Sequence, residues 1–346
     1  VAPSPMSVRL SVVVLVLTLV GSGSAGELAR FEYLETHMGS SFKILLYSTQ
    51  ETAARRASRA AFDRIAALDA VLSDYDPDSE LSRLATSAGG PPVAVGPDLF
   101  DVLEKSRYWY DETGGWLDPT IAPVGRLWRR ARRERKLPDD AKLDAALALV
   151  GMEKLVLDPK ARTVRLTRPG MKLDVGGVAK GYAAQAAIDV LREQGVDRAL
   201  VAGAGDIVVS GPPPDAEGWT IGVATLEPSK TAPEIYLSIK DAAVSTSGDA
   251  ERFVIIDGRR YSHIINPRTG RPIEDRASVT VVAPDGTTAD VLETTAYMLG
   301  PEKGLEFIDS IPGAAAVFTR ETPEGIRRYE SARFKDVPRA QPRPAP

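Results

Sequence analysis

Leu173-Asp174-Val175-Gly176-Gly177-Val178-Ala179-Lys180-Gly181-Tyr182 is the stretch from which the rest of the chain is read. The run ending at Asp174 reads as a strand, and the apolar spacing over Val178–Glu193 reads as a helix. Two glycines at the junction let the backbone approach a ligand and leave free N–H groups at a helix N-terminus, which suits an anion. Lys180 then falls in the first helical turn, where the helix dipole disfavours a cation. A bound anion explains that lysine; a plain strand–turn–helix with a solvent-facing lysine has the same pattern.

Working outward, alanine and leucine spacing predicts helices over Thr52–Leu72, Asp98–Tyr110 and Asp139–Leu149. Short β-rich runs dominate later: Leu155–Leu157, Thr163–Leu166, Ala199–Val201, Ile207–Val209, Trp219–Ala224, Ile235–Ile239, Phe253–Ile256 and Ser278–Val282. Phe42–Tyr47 reads as an early strand. Two further helices are expected at Ala289–Leu299 and Glu302–Ile308, then a strand pair, Ala314–Phe318 and Arg327–Glu330. Helices early and strands late indicate an α+β domain over 26–336, with mixed sheets and flanking helices, not a doubly wound sheet.

Composition excludes several function classes. The 346 residues carry 43 basic and 47 acidic side chains, a net charge of −4, which argues against a nucleic-acid binder. With no cysteine there are no disulfides, thiolate zinc sites or iron–sulfur clusters. Any histidine chemistry must use His37 or His263. Arg9, the apolar run at residues 10–20 and the small residues Gly21–Ala25 read as a signal peptide over 1–25, with Met6 as a candidate start. The run is too short to span a bilayer, which takes about 20 apolar residues. Export would put the mature chain in the periplasm or on the outer face of a membrane. The proline-rich end, residues 337–346, reads as a disordered tail.

Three other segments carry chemistry. Gly203-Ala204-Gly205-Asp206 follows a strand as a tight turn, but lacks the third glycine and the helix of a dinucleotide fingerprint. Asp257-Gly258 makes a hairpin of the following segment. His263 lies at the far end of its second strand, crowded in sequence by Ser247, Asp249, Arg252 and Arg268. In Ala289-Asp290-Val291-Leu292-Glu293-Thr294-Thr295-Ala296, Asp290 and Thr294 are four residues apart and share a helical face. A carboxylate beside a hydroxyl suits a hard cation such as Mg²⁺; an N-terminal cap is the simpler role for Asp290.

Taken together, these segments resemble the ApbE family, the FAD:protein FMN transferases. The resemblance also covers His37-Met38-Gly39-Ser40-Ser41-Phe42, Ser73-Asp74-Tyr75-Asp76-Pro77-Asp78-Ser79-Glu80-Leu81 and Thr113-Gly114-Gly115-Trp116-Leu117-Asp118-Pro119-Thr120. It implies a fold related to the tunnelling fold, FAD as substrate and a Mg²⁺ site. Asp290, Thr294 and the backbone carbonyl of Ala179 are the implied metal ligands. Met38, Tyr75, Asp118, Gly176, Gly177, Lys180, Gly205 and Asp206 fall in nucleotide-contacting motifs, and His263 falls on the catalytic histidine. The implied reaction moves FMN from FAD onto a Thr or Ser hydroxyl and releases AMP. The implied acceptor is a flavoprotein subunit of an exported or membrane redox complex. A Mg²⁺-dependent FAD pyrophosphatase and a non-catalytic periplasmic flavin-binding protein are the alternatives. The chain departs from the family at Ala204, where glycine is frequent, and at Asn266, where aspartate is common.

Overall fold

The computed structural model describes residues 27–223, 226, 233–248 and 253–341. The expected signal peptide, Ala224, Asp249 and Arg252 lie outside these residues. In chain order the elements are β1 (Ala29–His37), β2 (Ser40–Ser48), α1 (Glu51–Leu72), α2 (Glu80–Thr86), β3 (Val93–Ala94), α3 (Pro97–Glu112), α4 (Ala122–Glu134) and α5 (Asp140–Leu147). Then come β4 (Leu155–Asp158), β5 (Thr163–Leu166), α6 (Gly176–Glu193), β6 (Ala199–Gly203), β7 (Asp206–Val209), β8 (Trp219–Val223) and β9 (Ile235–Ile239). The last are β10 (Ala242–Gly248), β11 (Phe253–Ile256), β12 (Arg259–Ser262), β13 (Ala277–Ala283), α7 (Gly286–Leu299), α8 (Pro301–Ser310), β14 (Ala315–Thr322) and β15 (Gly325–Glu330).

Eight strands form one antiparallel sheet in the order β1-β2-β6-β7-β10-β13-β14-β15. Alternation along each strand divides its side chains between two faces. In β14, Ala316 and Phe318 join the helix-side core, while Ala315 and Val317 join a second cluster. Helices α1, α3, α6, α7 and α8 cover the first face. The β8–β9 hairpin covers the second, through Trp219, Ile221, Val223, Leu237 and Ile239. Covered on both faces, β13 is buried along its whole length, and the only polar side chains in its ASVTVVA sequence are the small hydroxyls of Ser278 and Thr280. The α+β architecture expected from the sequence is what the chain adopts.

Local chemistry explains most element ends. α1 buries Ala54, Ala57, Ala61, Ile65, Leu68 and Leu72 at three- and four-residue spacing, one face of a helix. α7 starts one turn before the expected Ala289, because Asp285 caps it by accepting from the Thr288 N–H (2.9 Å). Asp290 is therefore inside the helix and is not its cap. Two sequence expectations need correction. No strand precedes Asp174: Met171–Val175 joins no sheet and is held by the Asp174 N–H donating to the Pro119 carbonyl (2.7 Å). The tail does not become unstructured at Val337. The Ser238 N–H donates to the Pro338 carbonyl (2.8 Å) and the Ala340 N–H to the Tyr236 carbonyl (2.9 Å), so this segment lies along β9. Residues 342–346 lie outside the described residues.

Candidate active site

Two glycines allow the crossing that builds the site. A Cβ on Gly181 of α6 would collide with the Gly286 carbonyl and come within 2.8 Å of the Asp290 Cβ, and a Cβ on Gly286 would strike the Gly181 carbonyl in return. With hydrogens in those places, α6 and α7 touch backbone to backbone. Asp290, fully buried, accepts from the Gly181 N–H (3.0 Å). Thr294, one turn further, stands against Gly177, with its Oγ1 3.9 Å from where that residue's Cβ would be. The metal ligands expected on α7 thus lie beside the glycine turn of α6.

Lys180 joins the same cluster. Its Nζ lies 3.1 Å from Asp206 Oδ2 and 3.8 Å from Asp290 Oδ1. Because α6 begins at Gly176, Lys180 sits in the second turn, not the first, and buried carboxylates of β7 and α7 face it. Burial works against its charge, but Asp206, Asp290 and Glu293 outweigh burial and raise its pKa. Asp206 accepts from the Ser245 hydroxyl on its other oxygen (2.5 Å). Its visible work is therefore to hold Lys180. Burial, reinforced by the Asp206 charge, pushes Asp290 up to about 7, against the opposing pull of Lys180 and backbone N–H donors.

Glu293 belongs here and was not anticipated. It is buried, accepts from the Thr294 hydroxyl (3.0 Å), and burial with the Asp290 charge drives its pKa well up. Asp290 Oδ1 and Glu293 Oε2 are buried without a hydrogen-bond partner. Residues 290, 293 and 294 fall at i, i+3 and i+4, so helical spacing could have flagged the glutamate.

The other expected site residues are arranged around this cluster. Met38 occupies the two-residue β1–β2 turn at φ +50°, and its N–H donates to Asp69 Oδ2 (2.8 Å). Gly205, in the β6–β7 turn, is packed so closely on the Thr246 carbonyl that no Cβ fits. Register places both turns at one end of the sheet, since Phe42 of β2 pairs with Gly203 of β6. Ala204, between Gly203 and Gly205 at the turn tip, is exposed. Tyr75 is 79% exposed, with the Arg129 guanidinium 4.6 Å from its ring centroid. Asp118 is buried and caps the following turn, accepting from the Thr120 N–H (2.8 Å) and hydroxyl (2.5 Å). Burial raises its pKa. It lines a cavity of about 340 Å³ with Gly114, Gly115, Pro267 and Arg268.

His263 follows directly on β12 and is half-buried. Its arm is docked on α4 through the Trp128 indole N–H donating to the Gly270 carbonyl (2.7 Å), with Trp128 and Tyr261 5.3 Å apart. Arg268 of the same arm donates to the Gly114 carbonyl (3.0 Å) and lies over Trp116. Ile264, next to His263, is buried in the same core cluster as Ala289, Val291 and Leu292 of α7. His37 instead bonds Glu35 (3.1 Å) and stacks on Phe62 at 5.9 Å, a structural position.

An antiparallel sheet with a buried lysine–carboxylate cluster at a glycine-opened helix pair is an architecture with known relatives. The sequence model of the ApbE family matches residues 38–318, and the chain belongs to that family. A protein of Treponema pallidum named FAD:protein FMN transferase is 32% identical over 323 residues, covering 88% of this chain and 89% of the relative. A Klebsiella pneumoniae protein of the same name is 32% identical, covering 86% of this chain and 91% of its own length. Among solved structures, the flavin transferase ApbE from Vibrio cholerae superposes with a TM-score of 0.81 at 28% identity, covering 90% of this chain and all of the other.

Proposed function

We propose that this chain is an FAD:protein FMN transferase, an enzyme that moves FMN from FAD to a hydroxyl of an acceptor flavoprotein and releases AMP. The observation that carries the reading is the buried Lys180–Asp206–Asp290–Glu293 cluster, with Thr294 against Gly177, in a chain whose named relatives are such transferases. Phosphoryl-type transfer depends mainly on positioning and charge neutralisation.

The donor set fits a hard cation. Three buried carboxyls face one ammonium, two carboxylate oxygens lack hydrogen-bond partners, and a hydroxyl adjoins them. Asp290, Thr294 and the Ala179 carbonyl would hold Mg²⁺, which when bound would neutralise charge on the pyrophosphate. Lys180 keeps a positive charge beside that position, and Asp206 keeps Lys180 in place. The N–H groups opening α6 at Gly176 and Gly177 offer donors to phosphate oxygens. A Thr or Ser hydroxyl of the acceptor attacks the FMN-side phosphorus. A new P–O bond forms, the P–O bond to AMP breaks, and the hydroxyl proton passes to the His263 imidazole. General-base help of this sort contributes about 10²–10⁴-fold.

The acceptor in this reading is a flavin-carrying subunit of an exported or membrane redox complex, and the chain works outside the cytoplasm. The apolar run at residues 10–20 supports export. No helix among the described residues is long and apolar enough to cross a membrane. The test combines protein, FAD, Mg²⁺ and an acceptor flavoprotein domain, and reads AMP and acceptor mass. AMP with an FMN adduct is expected. AMP without an adduct would make the chain a pyrophosphatase, and neither would make it a binder.

A further inference from the structure

Arg129 lies outside every motif that marks the family resemblance, yet it ties two of them together. Its Nη2 donates to Asp74 Oδ2 at 2.5 Å and lies 3.7 Å from Asp174 Oδ2. Asp174 in turn accepts from the Gly176 N–H on its Oδ1 (2.9 Å). The guanidinium carbon sits 4.6 Å from the centroid of Tyr75, inside cation–π range. One arginine thus connects the Tyr75 turn to the glycine turn that opens α6.

The surroundings suit a fixed platform. The backbone around Tyr75 is already set, because Ser73 Oγ accepts from the Asp76 N–H (3.1 Å) and the Ser73 carbonyl accepts from the Ser79 hydroxyl (2.5 Å). Arg129 projects from α4, which is anchored by buried Val124, Trp128 and Ala131. Only the Tyr75 side chain remains to be placed, and it is 79% exposed while Arg129 and Asp74 are 25% and 14% exposed. A planar guanidinium can stack on a ring while donating in its own plane, which a lysine ammonium cannot do. One ring face is taken by Arg129, and the exposure of Tyr75 leaves the other free.

We propose that Arg129 is a positioning residue that holds Tyr75 as a preformed stacking platform for an aromatic ring of FAD, and so sets FAD affinity without entering the transfer step. The proposal rests on Tyr75 being a flavin-nucleotide contact. A ring ordered before binding spares the complex the cost of ordering it.

The test measures KM for FAD, kcat at saturating FAD and quenching of flavin fluorescence on binding. Full-length protein is used, with variants Arg129→Met, Arg129→Lys, Tyr75→Leu and the Met/Leu double variant. Arg129→Met is expected to raise KM about tenfold, leave kcat within about twofold and weaken quenching. Arg129→Lys keeps the ion pair with Asp74 and should fall between wild type and Arg129→Met. The double variant should be no worse than Tyr75→Leu alone. Wild-type KM and quenching in Arg129→Met, with a raised KM in Tyr75→Leu, would overturn the role of Arg129 and leave Tyr75 as a contact. An unchanged KM in Tyr75→Leu would overturn the reading of Tyr75 itself, and the proposal with it. A loss confined to kcat in both arginine variants would also overturn it.

Discussion

Ala204 adopts φ +55° at the exposed tip of the β6–β7 turn, a left-handed conformation that disfavours an L side chain by about 1–2 kcal/mol. Ala204→Gly should stabilise the protein, with the gain reduced to about 1 kcal/mol by the freer unfolded chain. That is a rise of roughly 2 °C in melting temperature for a chain of this size, read by calorimetry. Gly205 is the opposite case, since its missing side chain is what lets the Thr246 carbonyl close on it. At α7, Glu293→Gln keeps an acceptor for the Thr294 hydroxyl but removes the carboxyl group that a cation could draw into its ionised form. It should weaken Mg²⁺ binding several-fold in calorimetric titration without FAD, whereas an unchanged affinity would remove Glu293 from the cation site. Residue-scale reading singled out Asp290 and Thr294 because a shared helical face is a local property, and Lys180 because it follows the double-glycine turn. It did not foresee the carboxylates that face Lys180, because Asp206 and Asp290 come to it from a strand and from another helix.

Between elements, the α6–α7 crossing is the tightest contact that bears on the site. Gly181→Ala should cost about 1–3 kcal/mol by forcing the helices apart, and should lower transfer activity more than stability, because Asp290 and Thr294 shift with α7. Chemical denaturation and a transfer assay on the same preparation separate the two effects. Arg64 of α1 and Asp98 of α3 form a two-pronged ion pair at 2.6 and 2.7 Å, and the guanidinium holds the Asp98 carboxyl below its ordinary range despite partial burial. A carboxyl whose pKa falls on folding stabilises above its unfolded pKa of about 3.9, and that stabilisation is lost as pH drops through the folded value. Asp98→Asn should therefore cost about 1 kcal/mol at pH 7, and the difference from wild type should shrink as pH falls from about 3.9 through the lowered folded value. The helices with clean apolar periods, α1, α3, α6 and α7, were legible because packing and period agree. α4 was not, because five arginines in thirteen residues mask the Val124-Trp128-Ala131 face. α2 was too short to show a period, and its Ser79 cap, accepting from the Ser82 N–H, was the available signal.

At the scale of the whole molecule, the sheet separates two tasks. Its helix-covered face carries the cluster, and its other face is closed by β8–β9, Phe334 and the segment after Val337. Removing residues 338–346 should lower stability by about 1–2 kcal/mol, from two lost backbone hydrogen bonds, and leave the transfer rate at 25 °C unchanged. Composition and the order of elements made the α+β class readable, but strand order was not. β2 pairs with β6 across six intervening α-helices and a second small sheet, a long-range choice that no local pattern records. The same long-range assembly brings the His263 arm, α4 and the glycine turn around one region. The most direct test of the account is the structure of this protein crystallised with FAD and Mg²⁺. It predicts the pyrophosphate at the Gly176–Gly177 opening of α6, against Asp290 and Thr294, with the His263 ring facing the FMN-side phosphorus. A pyrophosphate bound away from that helix pair, or a His263 ring turned from it, would contradict the account.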